Sequence, residues 1–278
     1  AQLAPAFFGG LFWRRATAVW PDRPRRRSVY VWNGCDTATR RMPTLELTER
    51  VVLVTGAGRR VGRAIALRLA QAGCRVAVHY RTSADDAAET VNECRACGGA
   101  AAAFAADLAD PAAAADLVQR VLASFGQLDV LVNNAAIFER MTLDQFTLAD
   151  WERTLRINLT APAVLVHAAR DALRRARGRV VNLCDVATAR AWPEHLAYVV
   201  SKGALETLTR VLARALAPEV NVVGVAPGIA AWPDHYDQAT RDRLTAQVPL
   251  QRPGSPEDIA AAVHFLLREG DYITGVVL

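Results

Sequence analysis

The sequence predicts an α/β fold in which a parallel sheet is covered by helices on both faces. From residue 50 onward, short apolar runs alternate with longer segments of helical periodicity. The apolar runs are nearly continuous, which is typical of strands buried on both faces rather than on one. The chain has 278 residues, enough for one large domain of this kind with a well-buried core.

The order of the elements supports this fold class. Strands are predicted at 51–55, 75–79, 101–105, 129–133, 179–183 and 221–225. Helices are predicted near 61–72, 84–97, 111–124, 147–174, 195–217 and 256–268. Asp110-Pro111 has the N-cap residue and first-turn proline of a helix start. Ligands of such a sheet bind beyond the carboxyl ends of its strands, so functional residues are expected there.

Residues 1–44 differ in composition from the rest. They mix aromatic side chains with eight arginines and two acids, a net charge of +6, which leaves −1 for residues 45–278. A near-neutral body does not indicate a nucleic-acid-binding protein. The segment lacks the layout of a secretory signal, and a tail that binds a membrane or a partner is one alternative. We favour a basic, disordered extension before a single domain at 45–278.

Composition excludes several other classes. Hydrophobic residues make up 52% of the chain, yet no uninterrupted apolar run could cross a bilayer. The five cysteines are an odd number without the spacing of a disulfide framework, which favours a reducing, cytoplasmic location. Cys94-x-x-Cys97 has no second Cys/His pair, so we predict no metal site.

A glycine-rich turn joins the first strand to the first helix. It reads Thr55-Gly-Ala-Gly-Arg-Arg-Val-Gly62. Glycines in this context allow a tight turn and let backbone N–H groups and the helix N-terminus approach a pyrophosphate. In its strand–turn–helix setting the motif indicates a dinucleotide site.

The end of the second strand selects between the two nicotinamide cofactors. It reads Tyr80-Arg81-Thr82-Ser83, with no acid to bind a ribose 2′-hydroxyl. An arginine beside hydroxyls fits a 2′-phosphate instead, and Arg59 or Arg60 can add a second positive charge. The sequence therefore favours NADPH, although each arginine has the alternative of a solvated side chain.

Tyr198 and Lys202 form a candidate proton-donor pair. Lys202 is the only lysine of the sequence and lies four residues after Tyr198. On a helix these positions share one face, so the ammonium is expected to lower the tyrosine pKa from its usual value of about 10. A tyrosine tuned in this way can donate a proton near neutral pH.

Together the motifs resemble the classical short-chain dehydrogenase/reductase family over residues 48–278. They are the glycine turn, Asp107-Leu108, Asn133-Asn134-Ala135, Asn158, Tyr198-x-x-x-Lys202 and Pro227-Gly228. The resemblance implies a Rossmann-type doubly wound sheet, hydride transfer from a nicotinamide and a homotetramer. It implies catalytic roles for Tyr198 and Lys202 and a relay water on Asn158. The cofactor residues it implies, with those argued above, are Gly56, Arg59, Arg60, Val61, Tyr80, Arg81, Thr82, Ser83, Asp107, Leu108, Asn134, Ala135, Tyr198, Lys202, Pro227, Gly228 and Ile229.

Two departures from the family pattern narrow the expected substrate. Arg60 replaces a glycine of the turn, and Asp185 replaces the catalytic serine thirteen positions before Tyr198. An ionised aspartate cannot donate a hydrogen bond to a carbonyl oxygen and repels a developing alkoxide. A carboxylate suits a nitrogen-rich ring with a reducible C=N bond and N–H donors.

The two departures resemble the pteridine reductases of that family, including the bacterial dihydromonapterin reductases. In that subgroup an aromatic residue shortly after Asn-Asn-Ala stacks on the pterin, and Phe138 occupies the matching place. The substrate residues implied are Arg60, Phe138, Asp185, Tyr198 and Trp232. The predicted reaction is hydride transfer from NADPH to a pterin or dihydropterin, with folate as a further candidate. Tyr198 supplies the proton, assisted by Asp185. The two are expected to titrate as a coupled pair, since the carboxylate raises the tyrosine pKa while Lys202 lowers it.

The segment 229–250 is expected to form a substrate lid, with Trp232 as a contact and His235 as a loop residue. Relative to the family, the C-terminal end is expected to be truncated before a Val-Asp-Gly-Gly segment. Two other functions remain open at this point. One is a 3-oxoacyl or other carbonyl reductase that tolerates Asp185. The other is a non-catalytic, NADPH-binding regulatory protein, against which the intact Tyr198, Lys202 and Asn158 argue.

Overall fold

The computed structural model describes residues 45–232 and 236–278. Its centre is a six-stranded parallel sheet in the order β3-β2-β1-β4-β5-β6. The strands are β1 (Val51–Val54), β2 (Arg75–Tyr80), β3 (Ala101–Ala105), β4 (Val130–Asn133), β5 (Arg179–Leu183) and β6 (Asn221–Val225). The doubly wound α/β fold predicted from the alternating pattern is thereby confirmed.

Helices cover both faces of the sheet. They are α1 (Arg60–Gln71), α2 (Ala84–Ala96), α3 (Pro111–Phe125), α4 (Leu148–Leu155), α5 (Ala161–Ala176), α6 (Ala187–Arg190), α7 (Leu196–Ala215), α8 (Gln238–Thr245) and α9 (Pro256–Arg268). Successive strand residues point to opposite faces. Val52 and Val54 therefore pack with α1, α2 and α9, whereas Val51 and Leu53 pack with α3, α5 and the end of α7.

The sheet order places the functional end of the molecule. β1 pairs with β2 on one side and with β4 on the other, so the chain reverses its winding direction between β1 and β4. In open α/β sheets the ligand crevice lies at such a point, beyond the carboxyl ends of the strands. The glycine turn after β1 and the Asn134 loop after β4 meet there.

One predicted helix is interrupted in the structure. The segment 147–174 consists of α4, a π-helical turn at Arg156–Thr160 and α5. Pro162, in the first turn of α5, has no N–H to donate to the carbonyl of Asn158, which frees the ladder to widen at that place. The short helix α6 was absent from the sequence prediction, because four residues carry too little periodicity to be recognised.

The predicted N-terminal extension and His235 lie outside the described residues. Within residues 45–232 and 236–278, no helix has both the length and the apolar character needed to cross a membrane. The same part of the chain contains no cluster of His, Cys, Asp and Glu side chains suited to a metal ion. At the other terminus, residues 276–278 run beside β6, where the N–H of Ala226 donates to the carbonyl of Leu278 at 2.7 Å.

Candidate active site

A cavity of about 1060 Å³ opens at the carboxyl ends of the strands. Its walls come from the segments that follow all six strands and from α8. All the predicted cofactor and substrate residues line it: Gly56, Arg59, Arg60, Val61, Tyr80, Arg81, Thr82, Ser83, Asp107, Leu108, Asn134, Ala135, Phe138, Asp185, Tyr198, Lys202, Pro227, Gly228, Ile229 and Trp232. The structure therefore brings residues that are up to 176 positions apart to one place.

The glycine turn is held against the loop after β4. The Nδ2 of Asn134 donates to the carbonyls of Thr55 at 2.8 Å and Gly56 at 3.1 Å. In return, the Thr55 hydroxyl oxygen accepts the backbone N–H groups of Asn134 and Ala135, each at 2.9 Å. Gly56 has a φ of +63°, and a Cβ on Gly62 would lie 2.2 Å from the carbonyl oxygen of Gly56. These close backbone approaches form the cradle that a pyrophosphate requires, so the turn fits a dinucleotide.

Two arginines at this cradle, Arg59 and Arg81, lie in different surroundings. Arg59 forms an ion pair with Asp86 of α2 at 2.5 Å, which offsets part of its charge. Arg81 and Thr82 are exposed at the end of β2, and Ser83 is half-buried beside them. Arg81 with two hydroxyls is a donor set that fits a 2′-phosphate. Leu108 is buried in the opposite wall and Asp107 is exposed.

Arg60 occupies a strained backbone position. Its φ is +50°, in the left-handed region that favours glycine, and it is the first residue of α1. Such a conformation costs a non-glycine residue about 1–2 kcal/mol. Strained residues of this kind cluster at ligand and active sites, and Arg60 lines the cavity. Arg60, which replaces the family glycine, is therefore accommodated at a cost in folding free energy.

We expect Arg60→Gly to raise the free energy of unfolding by up to about 1 kcal/mol while weakening the binding of NADPH. Arg177→Gly is the matched control, because Arg177 has a φ of +48° at the end of α5, away from the cavity. It should gain stability without any change in affinity. Urea unfolding and NADPH titration measure both effects. Equal NADPH affinity in Arg60→Gly and the unchanged protein would contradict a ligand-binding role for Arg60.

Asp185 and Tyr198 are joined by a short hydrogen bond. The Tyr198 hydroxyl donates to Oδ2 of Asp185 at 2.5 Å, and Oδ1 of Asp185 accepts the N–H of Ala187 at 2.8 Å. Asp185 follows the end of β5, and Tyr198 lies in α7 one turn before Lys202, so both line the cavity. Both carboxylate oxygens thus accept hydrogen bonds from the protein.

Of the two opposing effects expected on the Tyr198 pKa, that of the Asp185 carboxylate prevails over that of Lys202. Burial and the nearby Asp185 carboxylate raise the pKa of Tyr198 well above its ordinary value. The Lys202 ammonium instead donates to the carbonyl of Leu183 at 2.6 Å, and it lies 5.7 Å from the centre of the Tyr198 ring. Burial lowers the pKa of Lys202 itself. Tyr198 is therefore protonated at neutral pH.

Asn158 connects two of the segments that form the site. It lies in the π-helical turn and is 1% exposed. Its Oδ1 accepts the N–H of Ile137 at 2.9 Å, and its Nδ2 donates to the carbonyl of Ile137 and to the hydroxyl of Ser201. These bonds tie the loop after β4 to α7. The predicted relay water on Asn158 stays a prediction.

Phe138 lies beside the reacting groups. Its ring centre is 4.7 Å from that of Tyr198 in an edge-on arrangement and 4.1 Å from that of His195 in a stacked one. The loop after β4 is also paired with the start of α7. The N–H of Met141 donates to the carbonyl of Glu194, and the N–H of Leu196 donates to the carbonyl of Met141. Trp232 lines the cavity further out, 6.4 Å from the ring of Tyr236.

Sequence reasoning missed His79 and His195. His79 lies in β2, where its Nδ1 accepts the N–H of Gly56 at 3.0 Å and its Nε2 faces the carbonyl of Ala106 at 3.2 Å. Nothing in its local sequence marks it, because a histidine in a buried strand has no motif of its own. His195 precedes Tyr198 by three residues, and this spacing was the available signal for a contact near the cavity.

Comparisons with known proteins agree with this geometry. A family model described as Enoyl-(Acyl carrier protein) reductase matches residues 56–278. A 3-oxoacyl-[acyl-carrier-protein] reductase of Synechocystis sp. is 36% identical over 233 residues, which cover 82% of this chain and 94% of that protein. The reductase of the same name from Staphylococcus aureus is 36% identical, over 80% of this chain and 93% of its own.

Solved structures show the same likeness. A short chain dehydrogenase from Burkholderia cenocepacia, in complex with NADP, is 38% identical with a TM-score of 0.79, and the match covers 84% of this chain and 96% of that one. A blue fluorescent protein from a metagenomic library, in complex with NADPH, is 36% identical with a TM-score of 0.79 and the same coverage. Because these matches run through the glycine turn, the sheet and the Tyr-x-x-x-Lys helix at more than 30% identity, the chain belongs to the short-chain dehydrogenase/reductase family.

Proposed function

We propose that the protein is an NADPH-dependent reductase that reduces a ring C=N bond of a pterin or dihydropterin. The observation that carries this proposal is the hydrogen bond from Tyr198 to Asp185 at the position where the family has a serine. The pair offers one proton donor and one carboxylate acceptor. A ring with a C=N bond beside N–H groups can use both, whereas a lone carbonyl oxygen can only accept hydrogen bonds and has no use for the carboxylate.

The neighbouring hydroxyl groups support the same conclusion, because they are engaged elsewhere. Thr188 bonds to the carbonyl of Asp185 at 3.1 Å and to Oε1 of Glu206 at 2.7 Å. Ser201 donates to the carbonyl of Tyr198 at 2.6 Å, and it is fully buried. Neither hydroxyl can replace the missing serine as a second donor to a substrate carbonyl.

The flat ring of a pterin also suits the aromatic wall of the cavity. Phe138 is 37% exposed, so part of its ring surface is accessible to a ligand. Stacking on a heterocycle adds about 0.5–1.5 kcal/mol beyond the burial of area. Asp185 can accept hydrogen bonds from the ring N–H groups, which fixes the ring relative to Tyr198.

Tyr198, Asp185 and Lys202 then have separate parts in the reaction. Bound NADPH supplies the hydride to a ring carbon. Tyr198, which burial and the Asp185 carboxylate keep protonated, gives its hydroxyl proton to the adjacent ring nitrogen, which becomes a strong base as the hydride adds to the neighbouring carbon. Lys202 uses one N–H to hold the carbonyl of Leu183 and has two more for the ribose hydroxyls.

The choice of NADPH rests on the end of β2. Arg81, Thr82 and Ser83 line the cavity beside Tyr80, and no acid stands among them. This donor set favours a 2′-phosphate over a free ribose hydroxyl. The two solved relatives with NADPH and NADP support the same choice.

A second candidate is the reduction of a 3-oxoacyl thioester. The names of the curated relatives favour it, since those from Synechocystis sp. and Staphylococcus aureus are both 3-oxoacyl-[acyl-carrier-protein] reductases. Asp185 argues against it for the reason given above. For this chemistry the carboxyl would have to be protonated in order to donate to the substrate oxygen.

Oxidation of NADPH, followed with a dihydropterin, dihydrofolate and an acetoacetyl thioester in parallel, distinguishes the candidates. We expect turnover with the dihydropterin. Turnover with the thioester alone would establish the second candidate instead. NADPH binding without any turnover would support a regulatory protein.

The same assays with Asp185→Ser test the role of the carboxylate. We expect the rate of dihydropterin reduction to fall by about tenfold or more while NADPH affinity is unchanged, because a hydrogen bond to a charged group is lost. The new hydroxyl should at the same time improve reduction of the thioester. Unchanged dihydropterin kinetics would remove Asp185 from the mechanism.

A further inference from the structure

Two backbone segments that wall the nucleotide end of the cavity are joined by one buried side chain. The first segment is the glycine turn after β1, and the second is the loop that begins at Ala106 after β3. Between them, in β2, lies His79, which is 2% exposed. Its ring makes one hydrogen bond to each segment.

The partners fix the tautomer of His79. Gly56 offers only an N–H, so Nδ1 must carry the lone pair that accepts it at 3.0 Å. Nε2 therefore carries the proton and donates to the carbonyl of Ala106 at 3.2 Å. A charged imidazolium has no lone pair and would repel the Gly56 N–H.

The surroundings keep the ring neutral. Burial lowers the pKa of His79 to about 4, and its bond to Ala106 partly opposes this shift. The charged groups that face it are Arg120 of α3, which lowers the pKa, and Asp107, which raises it. The Arg120 guanidinium is itself held at the carbonyl of Ala105 at 2.8 Å.

We propose that His79 is a positioning residue of the nucleotide site, which sets the distance between the glycine turn and the loop after β3 and thereby holds both in the arrangement that NADPH binds. The inference rests on the proposed cofactor. Gly56 belongs to the cradle for the pyrophosphate, and Asp107 and Leu108 follow Ala106 directly in the facing wall. Movement of either segment changes the width of the site.

The test compares NADPH dissociation constants, measured by fluorescence titration, in three variants. His79→Leu removes both bonds, and we expect its dissociation constant to rise about ten- to hundredfold. His79→Asn keeps an acceptor at the position of Nδ1, so it should recover most of the lost affinity. Val76→Ala is the matched control. Val76 is fully buried in the same strand, three residues earlier and away from the cavity, so its loss should lower the melting temperature without changing affinity.

Three outcomes would overturn the proposal. They are an unchanged dissociation constant in His79→Leu, binding in His79→Asn as weak as in His79→Leu, and an equal loss of affinity in Val76→Ala. If His79→Leu fails to fold, the comparison of His79→Asn with the unchanged protein and Val76→Ala still decides. Absence of NADPH binding in the unchanged protein would refute the proposed cofactor instead, and that result is distinct from all three.

Discussion

Tyr198→Phe should reduce the rate constant of turnover about 10²–10⁴-fold, the range that a positioned general acid contributes. The phenyl ring can keep the edge-on contact with Phe138 at 4.7 Å, so the wall of the cavity stays in place. Only the hydroxyl that donates to Asp185 is lost. The nearby hydroxyl groups of Thr188 and Ser201 do not replace it, because they donate to Glu206 and to the carbonyl of Tyr198.

Steady-state kinetics together with NADPH titration check this expectation. The rate constant should fall while NADPH affinity stays close to that of the unchanged protein. Tyr272→Phe is the matched control, because Tyr272 is fully exposed and does not line the cavity. A Tyr198→Phe variant with more than half of the original rate would refute the role of Tyr198 as proton donor.

Gly62→Ala should disable the nucleotide site and destabilise the domain by up to about 3 kcal/mol, the upper end of the cost of overpacking. A Cβ at this position lies 2.2 Å from the carbonyl oxygen of Gly56 and 2.5 Å from Nδ2 of Asn134. Both neighbours are parts of the cradle: one is a backbone atom, and the other is a side-chain nitrogen held by two hydrogen bonds to the turn. Relief of the clash must move α1 away from the turn or break the bonds of Asn134 to Thr55 and Gly56.

Urea unfolding and NADPH titration measure the two effects. Gly203→Ala offers a contrast within α7, since a Cβ there meets no atom within 4 Å. That variant should gain about 0.5–1 kcal/mol, as alanine does over glycine inside a helix. If Gly62→Ala bound NADPH as tightly as Gly203→Ala, the close approach of α1 to the turn would have no function.

The fold could be predicted from the sequence because its signals are local. Strands β5 and β6 were predicted at their observed bounds, since a largely apolar run between two helical segments marks where a buried strand begins and ends. The break at Arg156–Thr160 was missed because it depends on Pro162 and on the bonds of Asn158 to a distant loop. Periodicity does not record such contacts.

The sequence predicted which residues form the site, but not which of them bond to one another. Motif residues from Gly56 to Ile229 line one cavity, as sequence order in the family implied. The sequence predicted opposite effects of Asp185 and Lys202 on the Tyr198 pKa but not which would prevail, because one helical turn of separation does not reveal that the ammonium bonds to the carbonyl of Leu183. His79 escaped notice for a related reason, since its two partners come from other strands. The substrate subgroup and the homotetramer stay predictions.

The pairing of the loop after β4 with the start of α7 limits how this enzyme can change. Phe138 stacks on His195, which is the N-cap residue of α7 and precedes Tyr198 by three residues. A mutation that reshapes the aromatic wall for another substrate therefore also shifts the proton donor. α8 also lines the cavity, through Leu244, and it is not part of the contacts that join Phe138 to His195 and Tyr198, so new specificities are more readily reached there. Directed evolution of the substrate preference should accordingly enrich substitutions there rather than around Phe138.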